Sequence, residues 1–168
     1  MNNLVVNDKE YKVITLLGKG KGGYSYLVTL DDKLFVLKQI HHEPCDYYQF
    51  GNKIEAELND YKRILETGIN IPRLIDVDIK NERIIKEYID GPVISELVEE
   101  DKIEPWHIEE VKKMQSMCKS MGINIDYYPT NFIVSGHTLY YIDYECNNYD
   151  SKWDFDNWGK AYWVKEKK

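Results

Sequence analysis

The chain has 168 residues, 43% of them hydrophobic and 30% charged, with a formal net charge of −7. It is long enough to bury a core without disulfide or metal staples, and it fits one domain or one unit of two lobes. The acidic balance excludes a general nucleic-acid binder, which needs clustered Lys and Arg against backbone phosphates, but leaves room for a small phosphate-bearing ligand.

The opening "MNNLVVNDKEYK" lacks the basic and apolar regions of a secretory leader, and no apolar run approaches the ~18 residues of a membrane span. Three strands are expected next, "YKVITLL" (11–17), "YSYLVTL" (24–30) and "KLFVLKQI" (33–40), all rich in β-branched and aromatic residues. Over 51–66 the period changes. Ile54, Leu58, Tyr61 and Leu65 recur on one face of a helix that Gly68 ends. Strands at about 73–79 and 83–89 flank a "KNE" turn. After "DGP" (90–92) the pattern is helical, and Pro105 starts a helix expected to bury Ile108, Val111, Met114, Cys118 and Met121. "NFIVS" and "TLYYIDY" around Gly136 form a hairpin. The expected fold is α+β, with an antiparallel-sheet lobe plus one helix over 1–90 and a mainly helical lobe over 91–168. Cys45, Cys118 and Cys146 are odd in number and scattered, which suits a reducing, cytoplasmic setting.

Three groups of residues carry chemistry. In "LLGKGKGGYSYLV", Gly18, Gly20 and Gly23 make G-x-G-x-x-G between two strands. Such glycines form either a tight turn or a hairpin whose backbone closes over phosphates. Lys38 lies inside an apolar strand, where an ammonium needs a solvated head or a counter-charge. Glu57 on the following helix is the expected partner, with Glu55 as the alternative, since two residues along a helix face different ways. In "GINIDYYPTNFIV" (122–134), Asp126 and Asn131 stand as D-x-x-x-x-N, and Asp143 follows in "YYIDYE". Asp126 is a turn cap or a base for an acceptor hydroxyl. Asp143 is a strand-end solvated acid or, with Asn131, a ligand that holds Mg²⁺ against a triphosphate.

Taken together these stretches resemble the protein-kinase-like phosphotransferases. "GKGKGG" matches the glycine-rich loop, Lys38 and Glu57 the strand lysine and helix glutamate, "KEYIDG" (86–91) the hinge, "NIDYYPTN" (124–131) the catalytic loop and "IDYE" (142–145) the magnesium-binding segment. The Pro of the loop and the Tyr-Glu after Asp143 are closer to aminoglycoside and choline kinases than to eukaryotic protein kinases, and the small size is similar to that of minimal atypical protein kinases. The resemblance implies ATP and Mg²⁺ as cofactors, and adenine on backbone groups from Glu87 to Ile89. It also implies phosphoryl transfer to a hydroxyl of a protein or a small alcohol. A binding module without transfer, acting through a protein partner, is the rival. Asn124 stands where the family has His, Lys86 where it has an apolar residue, and little sequence follows "WDFDNWGKAYW". A truncated second lobe is therefore expected, completed by a protein partner in one reading.

Other features read structurally. "HHEPC" (41–45) is a weak metal candidate. Trp153, Trp158 and Trp163, with Phe155 and Tyr162, are expected to cap the helical lobe, and Asp154 or Asp156 to bond the catalytic loop.

Overall fold

A computed structural model describes residues 2–20, 22–42 and 52–164. The chain divides into two compact units, one of residues 1–56 and 72–88, the other of residues 57–71 and 89–168.

The first unit is built on a six-stranded antiparallel sheet: β1 (Asn3–Val6), β2 (Lys9–Lys19), β3 (Gly23–Leu30), β4 (Lys33–Ile40), β5 (Leu74–Asp78) and β6 (Arg83–Glu87), in the order β1-β2-β3-β4-β6-β5. Tight turns make this order cheap, because β2, β3 and β4 follow one another as hairpins. Asp31 and Asp32 adopt the left-handed backbone of the β3–β4 turn, which Asp tolerates better than most residues. Val6, Tyr11, Val28, Leu37 and Ile85 form the core of this unit. Its rim is tied by Asp78, whose carboxylate accepts from the backbone N–H of Asn7 and Asn81 and from Asn81 Nδ2. The Asn7 and Asn81 bonds hold that carboxyl below its ordinary pKa. The first strand, β1, gave no signal of its own in the sequence.

Helix α1 (Lys53–Thr67) ends at Gly68, whose φ is +81°. Its buried positions are Lys53, Ile54, Glu57, Ile64 and Thr67. This corrects the expected face: Leu65 is 54% exposed and Ile64 takes its place. The register includes three polar residues that an apolar count passes over. Thr67 satisfies its hydroxyl on the Ile64 carbonyl, and Lys53 Nζ donates to the carbonyl of His41.

The second unit adds α2 (Ile94–Glu99), α3 (Pro105–Ser120) and α4 (Lys160–Trp163). Its strands are β7 (Ile123–Ile125), β8 (Phe132–Ser135), β9 (Thr138–Tyr141) and β10 (Cys146–Asn148). The expected hairpin is β8–β9, and β7 pairs with β10. Pro105 starts α3 as expected. Glu104 and His107 cap it reciprocally, each side chain accepting from the other's backbone N–H. The helix buries Val111, Met114 and Cys118, with Ile108 partly buried. Met121 is the correction: it caps the helix end and is 48% exposed.

The hairpin closes against Gly91. A Cβ there would fall 1.9 Å from the Val134 carbonyl oxygen, and the Gly91 φ is +155°. Gly91→Ala must move backbone, so it should cost more than the roughly 1 kcal/mol of a simple left-handed glycine site. Urea unfolding of Gly91→Ala and Gly136→Ala compares the two, because a Cβ at Gly136 meets nothing within 4 Å. Equal midpoints would contradict this packing.

Candidate functional site

The glycine-rich segment is the turn between β2 and β3. Gly20 N–H donates to the Gly23 carbonyl, and His41 holds the same turn from outside. Its backbone N–H donates to the Gly22 carbonyl, and its Nε2 lies 2.9 Å from the Gly20 carbonyl. The three glycines of the motif differ in kind. A Cβ on Gly23 would sit 2.4 Å from the Gln39 carbonyl oxygen, so this glycine serves strand packing. Gly18 and Gly20 face open space. Gly22, which the motif leaves out, is the one beside the lysine, since its Cβ would come 3.7 Å from Lys38 Nζ. Lys38 sits on β4 opposite Ser25 and Ile84. The sheet thus brings the lysine ammonium under the glycine turn.

On α1, Glu57 is buried and Glu55 is exposed. Glu55 lies in the first turn, and its N–H donates to the capping Asn52 Oδ1. At the end of β6, Glu87 N–H donates to the Arg73 carbonyl, and Glu87 Oε1 accepts from Arg73 N–H. Lys86 is buried at 5% exposure and pairs with Val36 and Leu74. Of "HHEPC", His41 serves the glycine turn and His42 pairs with Glu82 at 2.7 Å, while Glu43 to Cys45 lie outside the described residues. Among the described residues, no group of three His, Cys, Asp or Glu is placed to hold a metal ion.

In the second unit the segments that carry Asp126, Asn131 and Asp143 are joined through a residue that the motifs did not single out. Tyr141 has no exposed surface, and its hydroxyl accepts from Asp126 N–H at 3.2 Å and donates to the Glu145 carbonyl at 2.7 Å. One phenol therefore clamps the start of the 126–131 loop to the segment that carries Asp143. Burial, then the nearby Asp143 carboxylate, pushes this phenol well above its ordinary pKa, so it stays a neutral donor. The far end of the loop is closed by Ile142 N–H on the Asn131 carbonyl at 2.9 Å. Asn131 Nδ2 donates to the Asp126 carbonyl, and Tyr128 N–H donates to Asp126 Oδ1. Asp126 is thus a turn cap through one oxygen.

The loop is anchored from the C-terminal aromatics. Trp163 Nε1 donates to the Tyr127 carbonyl at 2.7 Å, and Trp163 and Phe155 lie in the core with Tyr127 and Phe132. Capping is the work of these two and of the half-buried Trp158, which packs against the same core. Trp153 and Tyr162 are 48% and 44% exposed, which corrects the expectation for them. Asp154 accepts from Tyr149 Oη and Asn157 N–H, and Asp156 accepts from Gln115 Nε2. Among the described residues neither carboxylate bonds the catalytic loop. Asn124 Nδ2 instead donates to the Asp150 carbonyl at 2.8 Å.

No family model matches the chain. It is 29% identical over 96 residues to the KEOPS complex subunit Bud32 of Pyrococcus abyssi, a match covering 53% of this chain and 42% of that protein. It is 31% identical over 97 residues to a probable bifunctional tRNA threonylcarbamoyladenosine biosynthesis protein of Methanococcus vannielii, covering 51% of this chain and 15% of that one. A counterpart from Methanococcus maripaludis (strain C5) is 34% identical over 87 residues, again 51% and 15%. These relatives are consistent with a minimal member of the protein-kinase-like superfamily. The chain spans less than half the length of each. The α+β fold, with its antiparallel sheet in the first unit and reduced helical content in the second, agrees with a truncated kinase-like architecture.

Tyr141→Phe keeps the ring and deletes the clamp. It removes two part-buried hydrogen bonds, to the Asp126 N–H and the Glu145 C=O, a loss of about 1–3 kcal/mol in urea or thermal unfolding. A second prediction concerns the thiols. Burial pushes Cys118 and Cys146 up to about 12, from an unfolded value near 9. The folded state holds these protons more tightly, so their contribution is full below about pH 9 and fades as pH rises toward 12. Stability measured from pH 7 to 11 in a Cys118→Ala, Cys146→Ala variant should fall less with pH than in the parent chain. Parallel curves would contradict the assignment.

Proposed function

We propose that the chain is an ATP-dependent phosphotransferase that moves the γ-phosphate to a hydroxyl acceptor. The observation that supports this most is the joint placement of Asp126, Asn131 and Asp143 by the Tyr141 clamp and the Ile142–Asn131 bond. Surface polar residues would not need a buried phenol to hold them in register.

In this reading, the Gly18 and Gly20 backbone approaches the phosphates from the open side of the turn, with Gly23 closing it against β4, and Lys38 orients them. Glu57, the buried glutamate of α1, is the proposed partner that fixes Lys38. With Glu87 N–H committed to Arg73, adenine would use the Glu87 carbonyl and the Ile89 N–H. Asn131 and Asp143 supply an amide oxygen and a carboxylate, a donor set that suits Mg²⁺ completed by phosphate oxygens and water. The bound cation would neutralise charge on the phosphates. Asn131 fits this role because its Nδ2 is turned to the Asp126 carbonyl, which sets its Oδ1 as the acceptor end. Asp126, with Oδ1 held by Tyr128 N–H, would take the acceptor proton on Oδ2. Positioning and charge neutralisation supply most of the rate, so the covalent demands on the protein are small.

A second reading rests on the relatives' names. One is named as a subunit of a complex and the others as probable tRNA threonylcarbamoyladenosine biosynthesis proteins, and on this reading the chain is a nucleotide-binding module that acts through a protein partner. The two readings share the nucleotide and differ in turnover. Mg²⁺-ATP at 10–100 times its Kd should stabilise the chain by about 1.4–2.7 kcal/mol, a melting shift of roughly 3–10 °C, and Asp143→Asn should remove the metal-dependent part. Labelled γ-phosphate appearing on acceptor or as phosphate establishes transfer. A full melting shift with no release of phosphate would favour the module, and no shift at all would contradict both.

A further inference from the structure

Beside Asp126 the second unit contains a cavity of about 520 Å³ that the nucleotide chemistry does not use. Asn124, Asp126, Glu145, Asp150, Trp153 and Trp158 are among its walls, and no Lys, Arg or His is among the described residues that line it. Its polar groups are mostly acceptors. Asp126 and Asp150 each have one carboxylate oxygen fixed by a backbone N–H, from Tyr128 and Lys152 respectively. Asn124 is only 4% exposed, and its Nδ2 bond to the Asp150 carbonyl fixes which end of the amide faces which way. The other end, Oδ1, is buried and meets no donor among the described residues. A buried acceptor without a donor is costly unless a bound molecule brings one.

Aromatic rings extend the cavity over the surface. Trp153 and Trp158 stand edge to face at 5.9 Å, Trp158 and Tyr162 are 5.1 Å apart, and Tyr162 reaches Tyr128 at 5.2 Å. Tyr128 lies two residues after Asp126, so the strip runs from the cavity to the loop. The chain's own Lys152 already stands 5.0 Å from the centre of the Trp153 ring, as a cation does over an electron-rich face. A ligand that satisfies these walls is rich in N–H donors, positively charged and able to lie along aromatic faces.

We infer that this cavity is the acceptor subsite of the proposed phosphotransferase, and that it takes a Lys or Arg side chain flanking the Ser or Thr hydroxyl of a peptide segment. The inference rests on the phosphotransferase reading for the word acceptor, and on the cavity alone for the cation. An extended segment is favoured over a small amino alcohol because the aromatic strip leaves the cavity and continues across exposed Tyr128 and Tyr162. Asp126 would meet the hydroxyl, while Asn124 Oδ1 and Asp150 would receive the cation's donors. Guanidinium suits this set better than ammonium, since its planar fork offers five N–H groups at once.

Fluorescence anisotropy of short labelled Ser peptides tests this on the intact chain. Peptides with Arg or Lys beside the Ser should bind at least about tenfold more tightly at low salt than the same peptides with Glu there. Asp150→Asn keeps the backbone carbonyl that holds Asn124, and should weaken the basic peptide about tenfold. If that variant does not melt as a folded protein, Trp153→Ala serves instead, since its ring is half exposed. Equal binding of basic and acidic peptides, or basic-peptide binding unmoved by the variants, overturns the inference. Preference for choline or ethanolamine over the basic peptide overturns the peptide source. Basic-peptide binding in a chain that Mg²⁺-ATP does not stabilise supports the cation site and removes the phosphotransferase reading alone.

Discussion

A single buried hydroxyl holds the second unit's chemistry in register. Tyr141 Oη accepts one hydrogen bond, from Asp126 N–H, and donates its proton to the Glu145 carbonyl. The phenol sits on β9 inside the core, with Phe132 5.2 Å away, so the clamp is backed by packing. Among the described residues, the backbone groups that this buried phenol meets belong to the two segments that carry Asp126 and Asp143. The fold therefore cannot keep Tyr141 buried and let those segments drift apart. Trp163 repeats the same logic one residue on, its indole N–H held by the Tyr127 carbonyl.

Much of this was legible in the sequence, for identifiable reasons. The strands of the sheet stood out because β-branched and aromatic runs were bounded by turn residues, and the β8–β9 hairpin because Gly136 broke such a run. The proposed site residues were found by their spacing around short motifs. Tyr141 could not be found that way. Its role comes from two backbone groups that only the folded chain brings to its hydroxyl. The nearest signal was its place two residues before Asp143, in a run of three aromatic or apolar neighbours.

The misjudged helix faces have one cause. Counting apolar residues assumes that polar ones face water. In α1, Lys53, Glu57 and Thr67 are inside, and the true face runs through Ile64 while Leu65 points outward. In α3, His107 and Gln115 are buried, and Met121 falls beyond the last helical turn. Strands β7 and β10 have three residues each, too short for any period to show. The C-terminal aromatics divided by geometry that composition does not carry. Trp163 and Phe155 fill the core, Trp158 packs against it half-buried, and with Trp153 and Tyr162 it forms a strip toward Tyr128.

The central claim is that Asp126 and Asn131, five residues apart in one clamped loop, do different work. The most direct test is a Mg²⁺ titration of initial ATP-hydrolysis or transfer rates in the parent chain, Asp126→Asn and Asn131→Ala. Loss of a general base costs about 10²–10⁴-fold and is indifferent to added metal, whereas loss of a metal ligand is partly recovered as Mg²⁺ rises. The account predicts a deep, metal-independent defect for Asp126→Asn and a metal-dependent one for Asn131→Ala. Parent-like rates in Asp126→Asn would contradict it, even with nucleotide bound.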